Sequence, residues 1–93
     1  MNILIADSGS TKCDWLVITE QGQELGEFHT MGFNPYFHDS NLVESEMKAN
    51  SQAMKVAEII DRVYFYGAGS SSPELCEVIA EGLSRVFQKA RIH

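Results

Sequence analysis

Near the N-terminus, Asp7-Ser8-Gly9-Ser10-Thr11-Lys12 gathers an acid, four small residues, three of them with hydroxyls, and a cation within six positions. Apolar runs flank the stretch, Ile3–Ala6 before it and Trp15–Thr19 after it. Small side chains let backbone N–H groups come close to an anion and form an amide nest. Thr11 adds a hydroxyl and Lys12 a point charge. Asp7 would stand beside a terminal phosphate and hold Mg²⁺, directly or through the waters this ion tends to retain. The same residue types also build a plain hairpin turn, so both readings stand at this level. A six-residue connection is longer than a two-residue hairpin needs, which favours the cradle.

Two better-known phosphate loops are excluded. The P-loop pattern GxxxxGK[ST] needs its lysine to open a helix whose N-terminal amides hold the phosphates. Here Lys12 runs into Cys13-Asp14-Trp15-Leu16-Val17-Ile18, a strand pattern. The dinucleotide fingerprint fails for the same reason.

The elements that must position the loop follow from hydrophobic spacing. Ile3–Ala6 and Trp15–Thr19 are unbroken apolar or β-branched runs, as in strands covered on both faces. Gln21-Gly22 predicts a turn, and residues 23–31 a weaker strand with Leu25 and Phe28 as its apolar members. Phe33-Asn34-Pro35-Tyr36 is a loop, since Pro35 keeps Asn34 out of helical geometry. Asp39–Asn41 supply helix caps, with Asn41 and Glu44 at capping-box spacing. Val43, Met47, Met54, Ala57 and Ile60 then recur at helical steps, predicting one helix of about 18 residues interrupted in its stripe by polar Asn50. Arg62–Tyr66 predicts a strand, with Tyr64 and Tyr66 packed on one face. It leads to a second small-residue loop, Gly67–Ser71. Ser72-Pro73-Glu74 opens another helix, whose stripe is Leu75, Val78, Ile79, Leu83 and Val86. Ala90–His93 reads as the start of a strand that is cut off. The order β-β-β-α-β-α with helical crossovers predicts one compact α/β unit around a mixed sheet.

Composition narrows the function classes. The 93 residues carry 44% hydrophobic and 22% charged side chains, ordinary values for a globular domain. A net charge of −6 excludes a nucleic-acid surface, which rests on Lys and Arg neutralising phosphates. Cys13 and Cys76 fit no metal spacing and read as two free thiols in a reducing compartment. The apolar start is too short for a signal peptide and no stretch is long enough to span a bilayer. A soluble cytoplasmic protein is expected. His29 and His38 show no partner spacing and read as surface residues, Asp14 as a strand-edge acid and Trp15 as core. An unpaired apolar sheet edge predicts pairing with a second copy, a homodimer, or with added residues.

ADSGSTKCDW resembles the first phosphate motif of the actin/hexokinase/Hsp70-like ATPases, and more narrowly that of the BadF/BadG-type ATPases with the N-acetylglucosamine kinases grouped among them. GFNPYF after the third strand, YFYGAGSSSPE after the first helix, and the element order fit the same group along essentially all 93 residues. The resemblance implies a ribonuclease-H-like fold, with residues 1–93 as an incomplete N-terminal lobe. It implies ATP and Mg²⁺ as cofactors and an amino sugar as the small-molecule substrate. Asp7 matches the catalytic acid that positions the metal, and Gly9, Ser10, Thr11 and Lys12 match the phosphate contacts. Asn34 matches the residue that hydrogen-bonds the sugar, although an Asn-Pro turn alone would also explain it. Gly69 and Ser70 match a cleft-lining loop, where a geometric glycine turn serves equally well. The catalytic base is expected beyond His93, so this chain alone is expected to be inactive. Two other functions fit the same motif: an ATPase activating a 2-hydroxyacyl-CoA dehydratase or benzoyl-CoA reductase, and a non-catalytic ribonuclease-H-like binding module.

Overall fold

The computed structural model describes residues 1–9, 11–33, 38–67 and 73–92, with side chains of the last helix from residue 77 onward. The elements run β1 (Asn2–Ser8), β2 (Lys12–Thr19), β3 (Glu24–Met31), α1 (Ser40–Ala49), α2 (Ser51–Val56), β4 (Arg62–Gly67), α3 (Pro73–Val86) and β5 (Arg91–Ile92). They form one five-stranded sheet in the order β3-β2-β1-β4-β5. β1, β2 and β3 make an antiparallel meander, while β4 and β5 join parallel to β1. The α/β mixed sheet expected from the element order is thus observed. The strand expected to be missing has begun: Arg91 and Ile92 already pair with Arg62 and Val63.

Alternation along the strands explains the core. Leu4, Ala6, Trp15, Val17, Phe28 and Val63 point to one face and are buried with Val43, Met47, Ala53, Ile79 and Leu83 from the helices and Ile60 from the segment after α2. Trp15 anchors the layer, stacked on Phe28 at 5.6 Å and edge-on to Phe33 at 6.5 Å. The opposite face carries Ile3, Ile5, Leu16 and Ile18 only half-buried, and Tyr66 exposed. Cover on both faces of β1 and β2 is therefore not what the described residues show. Leu25 and Phe28 also part company, Leu25 exposed and Phe28 buried. Positions three apart in a strand face opposite ways.

The single long helix is two helices. Asn50 adopts an extended backbone, ends α1 with its N–H on the Met47 carbonyl, and caps α2 by accepting from the Gln52 and Ala53 amides. Its side-chain amide also donates to the His29 carbonyl on β3. The break shifts the helical phase by one residue, so Ala53 is buried and Met54 exposed. The α1 cap is Asp39, accepting from the Leu42 amide at 2.8 Å. Asn41 takes no part in a capping box and accepts instead from Arg85, which also reaches Glu44 and Glu81 and ties α3 to α1. Those helices cross closely enough that a Cβ on Gly82 would lie 2.6 Å from the Val43 Cβ. α3 begins at Pro73, as the proline predicts; its Ser72 cap and Leu75 lie outside the described residues and side chains.

Candidate functional site

The β1–β2 turn is tighter than its composition suggests. Asp7 and Ser8 still belong to β1 and Lys12 to β2, so the connection is three residues. The Gly9 amide donates to the Lys12 carbonyl at 2.8 Å. That amide is therefore engaged within the turn, and the nest of free amides expected at Ser8, Gly9 and Ser10 loses its Gly9 member. For an anion the described turn offers the exposed Thr11 hydroxyl and the exposed Lys12 ammonium. Gly9 meets nothing nearer than 3.6 Å at a Cβ position, so the turn itself has room for a side chain there.

The strand register sets the remaining groups in a row. Asp7 on β1 is the partner of Asp14 on β2 and of Tyr66 on β4, and Asp14 is the partner of His29 on β3. These positions share the open face of the sheet, at the end where the turn lies. His29 Nδ1 and Asp14 Oδ1 are 2.8 Å apart, a hydrogen bond between two exposed side chains. The partner that His29 lacks in local spacing is thus supplied across the sheet. The packed role expected for Tyr66 is not observed, since it is 62% exposed. Asp7 and Asp14 face each other as like charges, a pairing that disfavours a sheet unless a cation offsets it.

Asp7, Lys12, Asp14 and His29 line one open depression of about 520 Å³ on this face, with Ile5, Trp15, Leu16, Glu24 and Glu27 completing its walls. Four acids against one lysine and one histidine make it a place for a cation, or for an anion that arrives with one. The chemistry of these donors fits Mg²⁺ together with a phosphate ester. Asp7 and Asp14 are the groups that could hold such a metal, and Thr11 and Lys12 those that could reach phosphate oxygens.

Beneath the turn, Ser8 is 4% exposed. Its Oγ accepts from the Phe33 amide at 2.9 Å. Cys13, beside it, is free and buried. Burial pushes its thiol up to about 12, helped by the negative charge of Asp14 and Asp7 and opposed by hydrogen bonds to Ser8 and Thr30. Such a thiol is neutral and inert. Cys76, with its side chain outside the description, adds nothing here.

Of the predicted site residues, Asp7 and Lys12 share the depression, while Gly9 and Thr11 sit on the adjoining turn. Ser10, Asn34, Gly69 and Ser70 lie outside the described residues. Sequence reasoning took Ser8 only as a small residue of the amide nest and missed its side-chain contact with Phe33, and it missed the Asp14–His29 pair as a neighbour of the site. The signal was present for Asp14: a hairpin closing on Ser10 and Thr11 pairs positions 7 and 14 by simple reflection.

No family model matches the chain, and no curated protein does. Among solved structures it is similar to the crystal structure of a candidate N-acetylglucosamine kinase from Porphyromonas gingivalis, with 40% identity and a TM-score of 0.83. The match covers 97% of this chain and 32% of that one, so the chain spans about a third of the length of the protein it resembles. The chain thus has the fold of part of a kinase-like protein.

Proposed function

We propose that this chain is the first lobe of an ATP-dependent kinase acting on N-acetylglucosamine or a related amino sugar, of the BadF/BadG type. One observation carries the reading: Asp7 and Lys12, on the two strands flanking the turn, open onto the same acidic depression. The 40% identical solved structure supports it.

Mg·ATP, when bound, would supply a transferable γ-phosphoryl group. The residues of this chain hold it in place. Lys12 and the Thr11 hydroxyl bind phosphate oxygens, and Asp7 orients the metal with Asp14 opposite. The acidic walls favour the metal complex over the free nucleotide, whose uncompensated negative charge they repel. Asn34, one residue past the buried Phe33, would orient the sugar, and Gly69 and Ser70 are proposed to contribute to the same substrate site. Phosphoryl transfer depends almost wholly on positioning and charge stabilisation. This lobe contributes one wall of that arrangement, and the chain alone should therefore turn over negligibly.

The test is a nuclear magnetic resonance titration of the ¹⁵N-labelled chain with Mg·ATP and with ATP plus EDTA. Amide shifts are expected at Asp7, Thr11 and Lys12 with the metal complex, to be much weaker without metal, and to be lost in Asp7→Asn. Shifts confined to other surfaces, or equal responses with and without Mg²⁺, would refute the assignment.

A further inference from the structure

β3 is the outermost strand on its side of the sheet, and its outer edge has no strand partner among the described residues. The hydrogen bonds fix which backbone groups lie on that edge. The Gly9 amide donates to the Lys12 carbonyl and the Glu20 amide to the Met1 carbonyl, so odd residues of β1 bond to even residues of β2. The odd residues of β2 then turn towards β3, as Thr19 does in donating to the Gln23 carbonyl. Cys13 stands opposite Thr30 and Trp15 opposite Phe28. Phe28 and Thr30 therefore direct their backbone groups at β2, while Glu27, His29 and Met31 present theirs outward. The His29 carbonyl agrees, since it accepts from the Asn50 side chain at 3.0 Å, a donor at the α1–α2 junction. A carbonyl oxygen has a second lone pair, so this group can still accept from another strand.

An unpaired edge is a template for a further strand, and the side chains on this one select what joins it. Two copies of β3 related by a two-fold axis pair antiparallel, with outward residues opposite outward residues. Around the middle of the strand three registers satisfy this. Glu27 on Glu27 and His29 on His29 each set like groups face to face, which disfavours a pair. The register between them sets Glu27 on the partner's His29 and His29 on the partner's Glu27. It also brings Leu25 against the partner's Met31. Leu25 needs such a neighbour: the bulge at Val17/Ile18 leaves it without a partner on β2, and it is 47% exposed. We infer that the outer edge of β3 is a self-association surface, on which a second copy of this chain pairs antiparallel in the Glu27–His29 register and extends the sheet. The inference is independent of the nucleotide reading.

Sedimentation equilibrium of the chain tests it. A monomer–dimer equilibrium is expected between about 10 μM and about 1 mM, weak because one strand pair buries less than a standard interface. Glu27→Pro removes only an outward N–H, which an edge strand tolerates, and should weaken the dimer by about tenfold or more. His29→Glu should weaken it as well, by setting acid against acid, and adding Glu27→Lys to the same chain should restore it. A chain that stays monomeric throughout the range, a dimer indifferent to Glu27→Pro in a folded variant, or a His29→Glu loss that Glu27→Lys does not rescue overturns the inference. The register has its own readout, which stands even where Glu27→Pro fails to fold. Cα atoms of a hydrogen-bonded antiparallel pair lie about 5.5 Å apart, within reach of a disulfide. Under air oxidation, Glu27→Cys chains mixed with His29→Cys chains should therefore give a 27–29 disulfide by peptide mapping. A 27–27 disulfide forming as readily in Glu27→Cys alone would overturn the register, and no crosslink in either sample would overturn the surface.

Discussion

Substituting Gly32 with alanine separates the architecture of the turn from its chemistry. The added Cβ would sit 2.1 Å from the Gly9 carbonyl oxygen, where real Cβ atoms are essentially never nearer than 3.0 Å. The obstacle is backbone, so the turn must retreat by about 1 Å, and overpacking of this kind costs about 1–3 kcal/mol. Gly32 has no positive φ, so no strain is added and the unfolded chain loses entropy worth about 0.4–1 kcal/mol in favour of the variant. With the clash at the upper end of its range, the net loss is about 2 kcal/mol. For a domain of this size that lowers Tm by roughly 8–16 °C. Gly9→Ala is the matched control: its Cβ meets only the Lys12 carbonyl at 3.6 Å, so stability should be unchanged or slightly raised. Urea unfolding followed by circular dichroism reads both, provided the m-values agree. A Gly32→Ala variant within about 0.5 kcal/mol of the natural chain would refute the close approach. So would a Gly9→Ala loss of equal size. Conversely, a stable Gly9→Ala chain that no longer responds to Mg·ATP would show that this glycine is kept for a ligand.

Two further outcomes follow from the caps and the titrating groups. Asn50→Ala removes the side chain that caps α2 through the Gln52 and Ala53 amides and bridges to the His29 carbonyl, and should cost about 1–2 kcal/mol in thermal unfolding; a loss below about 0.3 kcal/mol would show that the break between α1 and α2 stands without it. Stability should also fall at both ends of the pH range. Asp61 is held below its ordinary 3.8 by the Asn2 amide and then by Lys89, and Glu44 below its ordinary 4.5 by the Lys48 and then the Arg85 hydrogen bonds. The unfolded chain therefore binds more protons in acid, so the stabilisation present above those values is lost as pH drops through the lowered ones. Cys13 has the opposite sign: the unfolded thiol ionises from 9.0 while the folded one resists to about 12, so stability declines across that interval. Urea midpoints against pH should lose part of their acid slope in Asp61→Asn and of their alkaline slope in Cys13→Ala, and unchanged slopes would refute these causes.

The sheet and its order were legible because strands and crossovers announce themselves locally, through unbroken apolar runs at β1 and β2 and a proline at the head of α3. The helical stripe misled at one place. Val43 and Met47 held their phase, but Asn50 satisfied two amides of a new helix and turned Ala53 inward in place of Met54. A polar residue in an apolar stripe was the sign of a cap, and only a partner on β3 reveals that it has a second use. His29 shows the general limit. Its hydrogen bond to Asp14 spans fifteen positions and depends on the register of β2 with β3, which includes a bulge at Val17/Ile18. Ser8 was read as one small residue among four, because its value lies in a contact 25 positions away.

The row His29, Asp14, Asp7, Tyr66 bears most directly on what the turn is for. A plain reversal between two strands has no need of opposed acids at its mouth, and directly opposite like charges disfavour a sheet by about 0.2–1 kcal/mol. The rest of the depression deepens that penalty, since Glu24 and Glu27 add to the acids and Lys12 is the lone lysine among the lining residues. His29 binds Asp14 at 2.8 Å, but both groups are exposed, where such a pair contributes little. Under the proposed function, a divalent cation near Asp7 and Asp14, arriving with an anion for Lys12, would relieve this repulsion. A cradle of this composition would favour a metal–phosphate complex over the uncompensated anion, which is the discrimination the proposed kinase would need from its first loop.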